Sequence, residues 1–212
     1  MVPAMKKLLA ALVATLAFTA PALAHPHVWV TMSSQLVYGP DGSVTGIRHA
    51  WAFDDMFSTF ATQGLESKQK GVFTREELKP LAEVNVTSLK EYDYFTIAKA
   101  NGKKTPLTDP VDYYLDYKDQ VLTLNFTLPF KTPVKARDLD LEVYDPSYFV
   151  DFAFAEKDPV VLAGAPVGCQ LSVAKPKEMS VADGKKLSEA DFTAMANNWG
   201  QQFANRISVK CP

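Results

Sequence analysis

The amino-acid sequence predicts an α+β protein in which an antiparallel β-sheet or sandwich carries helices packed to one side. Two extended runs, Val28 to Tyr38 and Val44 to Phe53, are joined by a short turn rich in Gly and Asp, which is typical of a β-hairpin. Apolar residues then recur at helical spacing. Beyond about residue 92, short extended runs alternate with turn dipeptides, and this pattern favours further strands.

The first 24 residues have the organisation of a secretory signal peptide. Lys6 and Lys7 precede an apolar run from Leu8 to Ala20, and small residues lead to a cleavage site after Ala24. A membrane anchor is the alternative, but a bilayer span needs about 20 apolar residues and this run is shorter. We therefore expect an exported, periplasmic protein that does not insert into the membrane after cleavage.

Removal of residues 1–24 leaves 188 of the 212 residues, which suits a single domain over 25–212. The formal charge falls from −2 to −4 because two lysines and no acids are lost with the leader. No basic stripe is present, so nucleic acid is not an expected partner. No nucleophile elbow, Walker loop, dinucleotide fingerprint or His-Glu-x-x-His motif occurs, and we expect no enzyme.

Two helices are predicted directly after the hairpin. Asp54 and Asp55 lie where acidic residues cap a helix and favour its positive end. Thr74 opens a capping-box pattern for a second helix, which would run to about Lys90. Pro80 lies late enough in this segment to kink or divide the helix.

The remainder of the chain predicts six strands and a C-terminal helix. The candidate strands are Tyr92 to Ala98, Gln120 to Leu128, Asp140 to Tyr144, Tyr148 to Phe154, Pro159 to Leu162 and Gln170 to Ala174. The helix covers Ser188 to Ala204, and the apolar stripe along it is typical of a core-facing surface.

The two cysteines, Cys169 and Cys211, predict a disulfide, because an even pair in an oxidising compartment is normally bridged. The bond would close a loop of about 40 residues and stabilise the fold by about 3–4 kcal/mol. A metal site is the alternative, but neither cysteine has a nearby ligand in the sequence.

The three histidines all fall early in the mature chain, at His25, His27 and His49. In an extended strand, His25 and His27 would point to the same side at a separation of about 6–7 Å. Imidazole is a good ligand for zinc, copper, nickel and cobalt. The pair therefore indicates a transition-metal site. A polar N-terminus whose two histidines bind no ion would show the same sequence pattern.

The hairpin suggests further ligands. If Tyr38 pairs with Val44, His27 lies opposite Asp55, and Asp54 is its neighbour. The same register places His49 roughly 20 Å from His27. The carboxylates are therefore better candidates than His49, which we interpret as a partly exposed strand residue. Helix capping alone would also explain both acids.

Asp145 is a third candidate carboxylate, within an aromatic cluster that spans 144–149. Asp-Pro forms turns readily, so an Asx-type turn is the competing interpretation.

The segment Glu66 to Glu77 is similar to an EF-hand loop, with Gly71 sixth and Glu77 twelfth. Lys68 and Lys70 occupy positions where that loop needs oxygen ligands. We therefore expect the shape of the loop at most, and no bound calcium.

Four segments together carry a resemblance to a known family. They are His25-Pro26-His27, Trp51 to Phe57, Tyr92 to Thr96 and Tyr144 to Phe149. In this order they resemble a family of periplasmic proteins, described as the periplasmic component of a transport system. Its members are encoded beside inner-membrane permeases of the NicO nickel/cobalt type, and some are implicated in zinc acquisition.

The resemblance implies a metal-handling partner of such a permease, with His25, His27, Asp54, Asp55 and Asp145 as candidate ligands. Zinc is the expected ion, and nickel or cobalt also fits nitrogen and oxygen ligands. Two other hypotheses remain open. One is an oxidative copper enzyme that binds copper through the amine and ring of His25, with His49 as the second histidine. The other is an interaction subunit without metal, docking through exposed aromatic residues.

Overall fold

The computed structural model describes residues 26–176 and 199–212. These residues form two β-sheets and two α-helices, which confirms the predicted α+β class. The strands are β1 (Val28–Tyr38), β2 (Val44–Phe53), β3 (Thr96–Ala100), β4 (Lys103–Lys104), β5 (Val111–Lys118), β6 (Val121–Val134), β7 (Asp138–Val143), β8 (Val150–Phe154), β9 (Val160–Ala163), β10 (Gln170–Ala174) and β11 (Asn205–Lys210). The helices are α1 (Asp55–Thr62) and α2 (Arg75–Leu89).

The two sheets have different pairing patterns. The first has the order β5-β6-β2-β1-β8, and β9 also pairs with β1. Strand β1 is antiparallel to β2 but parallel to both β8 and β9. The second sheet, β10-β11-β7-β3-β4, is antiparallel throughout. The first residues of β1 pair with β8, and from Val30 onward the strand is hydrogen-bonded on both edges, so the start of β1 is held in place.

The hairpin lies where the sequence predicts it, but its predicted register is wrong by one residue. Tyr38 does pair with Val44, whereas the next pair is Val37 with Gly46, so Thr45 forms a bulge. A bulge puts two residues of one strand against one of the other. Beyond it Ser34 faces His49, where a register without the bulge would place Ser33. The predicted placement of His27 opposite Asp55 is lost by the same shift.

Both helices begin as the sequence predicts. Asp54 caps α1 and Thr74 caps α2, where Thr74 and Glu77 form a complete capping box. Pro80 lies inside α2 without dividing it. Helix α2 packs on β5 and buries one stripe of side chains at helical spacing, Leu78, Ala82 and Val86.

Several predicted elements differ from the structure. The predicted strand from Tyr92 begins only at Thr96, because Lys90–Phe95 forms a 3₁₀ segment with a left-handed run at its end. The strand predicted from Tyr148 likewise begins at Val150. Strand β5 was not predicted. It is a largely exposed edge strand, so its sequence mixes Asp, Lys and Tyr and lacks the apolar alternation of a half-buried strand.

The C-terminal part of the chain also differs from the prediction. Most of the predicted helix, residues 188–198, lies outside the described residues. Trp199–Phe203 forms a 3₁₀ turn, and the following strand β11 was not predicted. Strand β11 lies inside the second sheet between β10 and β7, and its buried residues alternate along it.

The core lies between the two sheets. Trp51 of β2 is 1% exposed and contacts Phe126 and Phe152 in the first sheet and Phe95 beside the second. The predicted disulfide is confirmed: Cys169 and Cys211 are joined with an S–S distance of 2.05 Å. Within the described residues, no helix combines the length and apolar character needed to cross a bilayer.

Candidate functional site

His27 lies at the exposed start of β1 and is anchored through its backbone. Its N–H donates to the carbonyl of Phe149 at 2.9 Å, just before the parallel pairing of β1 with β8 begins. The imidazole packs against the Phe149 ring, with the two ring centroids 4.7 Å apart. The fold therefore holds the second histidine of the His-Pro-His segment at a fixed position on the surface. His25 precedes the described residues.

Asp54 uses both carboxylate oxygens to organise the chain around it. One oxygen accepts the N–H of Phe57 at 2.9 Å and caps α1, while the other accepts the N–H of Trp29 at 2.9 Å. Asp54 therefore joins the beginning of β1 to the beginning of α1. Asp55, in the first turn of α1, is exposed.

Asp145 is buried, and its carboxylate forms an Asx-type turn. One oxygen accepts the N–H and the hydroxyl of Ser147, both at 2.8 Å, and the other accepts the N–H of Val150 at 2.9 Å. These contacts position the loop that leads into β8. The competing interpretation of Asp145 as a turn former therefore describes what its side chain does in this fold.

Asp151 lies beside these residues and was missed by the sequence analysis. It pairs with Trp29 across the parallel β1–β8 contact, so the two residues share one face of the sheet. Burial raises the pKa of the Asp151 carboxyl. The only signal in the sequence is its alternation within the predicted strand. Its proximity to β1 depends on a parallel pairing that no local pattern indicates.

The described residues do not form a metal site by themselves. Within residues 26–176 and 199–212, no three His, Cys, Asp or Glu side chains lie close enough together to hold an ion. A site with three such ligands that includes His27 would therefore need at least one ligand from outside the described residues, for example His25, or from a partner.

His49 is fully buried, so its interpretation as a partly exposed residue is wrong. Its Nδ1 lies 2.9 Å from the hydroxyl of Ser34, and its Nε2 lies 3.4 Å from the hydroxyl of Thr96 in the second sheet. Burial lowers the pKa of His49 to about 3. Because both ring nitrogens are engaged in the core, His49 is poorly placed to serve as the second histidine of a copper site with His25.

The segment similar to a calcium loop is closed by its own last residue. The Glu77 carboxylate accepts the N–H of Lys68 at 2.9 Å and the N–H of Thr74 at 2.8 Å. These hydrogen bonds lower the pKa of Glu77. Gly71 adopts the left-handed backbone, with φ of 74°, that the sixth position of such a loop requires.

An apolar cleft of about 450 Å³ opens beside His27. Its floor is Trp51 and Phe152, and Phe149, which packs against the His27 ring, forms part of its wall. Helix α2 and the 3₁₀ segment supply the opposite wall, including Ser88 and Tyr92. The cleft and the N-terminal histidine therefore occupy adjacent positions at one end of the first sheet.

Comparison with known proteins places the chain in a family. A family model described as "Protein of unknown function (DUF1007)" matches residues 10–211. The chain belongs to the DUF1007 family. An uncharacterised protein of Haemophilus influenzae is 24% identical over 195 residues, which cover 89% of this chain and 92% of that protein. An uncharacterised 15.5 kDa protein of Spirochaeta aurantia is 30% identical over 93 residues, 43% of this chain and 66% of that protein.

The DUF1007 match includes every candidate ligand named above. The disulfide of this DUF1007 member is consistent with a location outside the cytoplasm, where such bonds form and persist.

Proposed function

We propose that this protein is a periplasmic transition-metal-binding component that serves an inner-membrane permease of the NicO type. The ion is its cargo, with zinc as the expected metal and nickel or cobalt as the alternatives. The observation that carries the proposal is the anchored His27. Cleavage of the signal peptide after Ala24 would make His25 the first residue, two positions before a histidine that the sheet holds at the surface.

The chemistry follows from the donors available at this end of the molecule. Two neutral imidazoles and a carboxylate suit zinc, which binds nitrogen and oxygen ligands in tetrahedral geometry. Asp55 is the preferred carboxylate because it is exposed. Asp54 and Asp145 rank lower, since each oxygen of both side chains already accepts a hydrogen bond from the protein.

A site with few protein ligands suits delivery of the ion to a partner rather than storage of the ion. If His25, His27 and one carboxylate bind the ion, a coordination position stays open for a ligand from the partner, as in zinc sites that exchange a ligand. The partner itself is inferred from the family resemblance. The proposal assigns no catalytic step to the chain.

The test is metal titration by calorimetry of purified protein that begins at His25. We expect about one zinc ion per chain, and loss of binding in the His25→Ala, His27→Ala double variant. Asp55→Ala should weaken binding, whereas the matched Asp112→Ala, at an exposed position of β5, should not. A Gly-Ser extension before His25 separates binding by the rings from binding by the terminal amine.

Zinc affinity that is unchanged in the double histidine variant would end this proposal. Unchanged affinity in the extended protein would instead exclude only the terminal amine, and with it the copper arrangement that depends on that amine.

A further inference from the structure

The cleft beside His27 has an unusual chemical composition. Of the 15 described residues that line it, seven are aromatic and none is Lys or Arg. Asp145, in the loop that precedes β8, is the one carboxylic acid among these described residues. The described lining of the cleft is therefore rich in aromatic side chains, contains one carboxylate and contains no Lys or Arg.

We propose that this cleft binds a small organic cation, a quaternary or tertiary ammonium with an apolar body. Aromatic faces attract such cations through the negative potential of the ring, and several rings around one ammonium make the usual cage. Ligand sites in proteins typically have volumes of about 300–1,000 Å³ and apolar walls with a few polar groups, which describes this cleft.

Two of the aromatic side chains that line the cleft, one on each wall, are exposed to solvent. Tyr92 is 52% exposed and stacks on Phe95, with centroids 5.3 Å apart and ring planes 27° apart. Phe149, on the other wall, is 45% exposed. These rings are large apolar surfaces that a ligand between the walls would remove from water.

The backbone on both sides of the cleft is held in a conformation that side chains disfavour. Asp93, Tyr94 and Phe95 are consecutive residues with φ of 50°, 52° and 49°, and Tyr148 has φ of 58°. Non-glycine residues in this conformation are strained, and they cluster at binding sites. Here the left-handed run places Phe95 in the cleft, against Trp51.

The negative charge near the cleft disfavours binding of an anion. The Asp145 carboxylate is 3% exposed, so the interaction of its charge with a ligand is screened less than at the surface. Ser88 and Asn85 of α2 contribute neutral polar groups to the lining. The oxygens of Asp145 already accept hydrogen bonds from Ser147 and Val150, so the residue contributes its negative charge rather than a direct ligand. A cation with an apolar body interacts favourably with the rings and with this charge, whereas a carboxylate ligand would be repelled by it.

This inference does not rest on the proposed metal function, because the lining residues that carry it include neither His25 nor His27. The experiment uses metal-free protein that begins at His25. The probe is benzyltrimethylammonium, compared by calorimetry or ligand-observed NMR with its uncharged isostere neopentylbenzene and with the anion phenylacetate. We expect the cation to bind about tenfold more tightly than the isostere, and phenylacetate to bind weakest.

Variants locate the binding. Ser88→Trp would fill the mouth of the cleft and is expected to reduce cation affinity at least tenfold. Its matched control is Thr87→Trp, an exposed neighbour on the same helix that does not line the cleft. Tyr92→Leu keeps apolar bulk but removes one aromatic face, so it should weaken the cation and leave the neutral isostere unchanged. All of these positions are exposed, and folding is checked by circular dichroism.

Three results would overturn the inference. They are absence of measurable cation binding, equal or tighter binding of the neutral isostere, and equal loss of cation affinity in Ser88→Trp and Thr87→Trp. If the metal titration shows no binding but the cation binds as expected, the proposed metal function is wrong and the inference about the cleft is unaffected.

Discussion

Protonation of His49 is expected to destabilise the protein in mild acid. The ring is fully buried between the two sheets, where it links Ser34 to Thr96. Burial lowers its pKa from 6.5 to about 3, so the folded state holds the neutral ring. The unfolded chain takes up the proton first as the pH falls. The contribution of His49 to stability is therefore complete above pH 6.5 and is lost as the pH falls toward 3.

The size of the effect follows from the shift in pKa. Each unit is worth 1.36 kcal/mol, so the full loss is about 5 kcal/mol. Between about pH 7.5 and about pH 5, the expected loss from this one group is about 2 kcal/mol. The assay is urea unfolding of wild type and His49→Gln at both pH values, monitored by circular dichroism. Gln retains a polar group near Ser34 but does not titrate.

The variant is expected to be less stable than wild type at neutral pH and to lose about 2 kcal/mol less on acidification. His27→Gln, at the exposed position immediately before β1, is the matched control for replacing a histidine outside the core. Equal pH dependence in wild type and His49→Gln would refute the argument, since it would mean that the burial of His49 does not control its protonation.

Three further outcomes are expected, each measured by urea unfolding. The Cys169→Ala, Cys211→Ala variant should lose about 3–4 kcal/mol, because the open chain regains the entropy of a loop of about 40 residues, and equal stability of reduced and oxidised wild type would contradict this. Asp54→Ala should cost about 1–2 kcal/mol through loss of the α1 cap, with Asp55→Ala as a control that changes stability by less than about 0.5 kcal/mol. Gly46→Ala should cost about 1–3 kcal/mol, because a Cβ there would lie 2.9 Å from a carbonyl oxygen of β6; an unchanged midpoint would show that β6 can move aside.

The local signals in the sequence were sufficient for the hairpin and both helix starts. The strand bounds 28–38 and 44–53 follow from composition and a turn cluster, and the caps at Asp54 and Thr74 follow from side chains that bond to nearby N–H groups. These interactions join residues a few positions apart, so the pattern of the sequence contains them. The register of the hairpin was missed because one bulged residue, Thr45, carries no distinctive signal.

The residues of the candidate site also fall into two groups, those that the local sequence indicates and those that it does not. The sequence predicted a leader, the candidate ligands His25 and His27 with the carboxylates at 54, 55 and 145, and the cysteine pair. It did not indicate the parallel pairing of β1 with β8, which brings Asp151 to Trp29 and Phe149 to His27. Parallel strands are joined by long connections, and about 110 residues of chain separate these two, so no short-range pattern reports the contact.

By itself, then, the sequence determined the α+β class, the hairpin and the pair of cysteines, because each depends on composition or on neighbours along the chain. The export signal stays a prediction from the same kind of pattern. Only the tertiary structure decided that His49 is a buried link between sheets and that Asp145 closes a turn. It alone assembled seven aromatic residues from three separate segments of the chain into a cleft beside His27. Those outcomes depend on which surfaces the two sheets bury against each other, and burial is a property of the whole packed molecule.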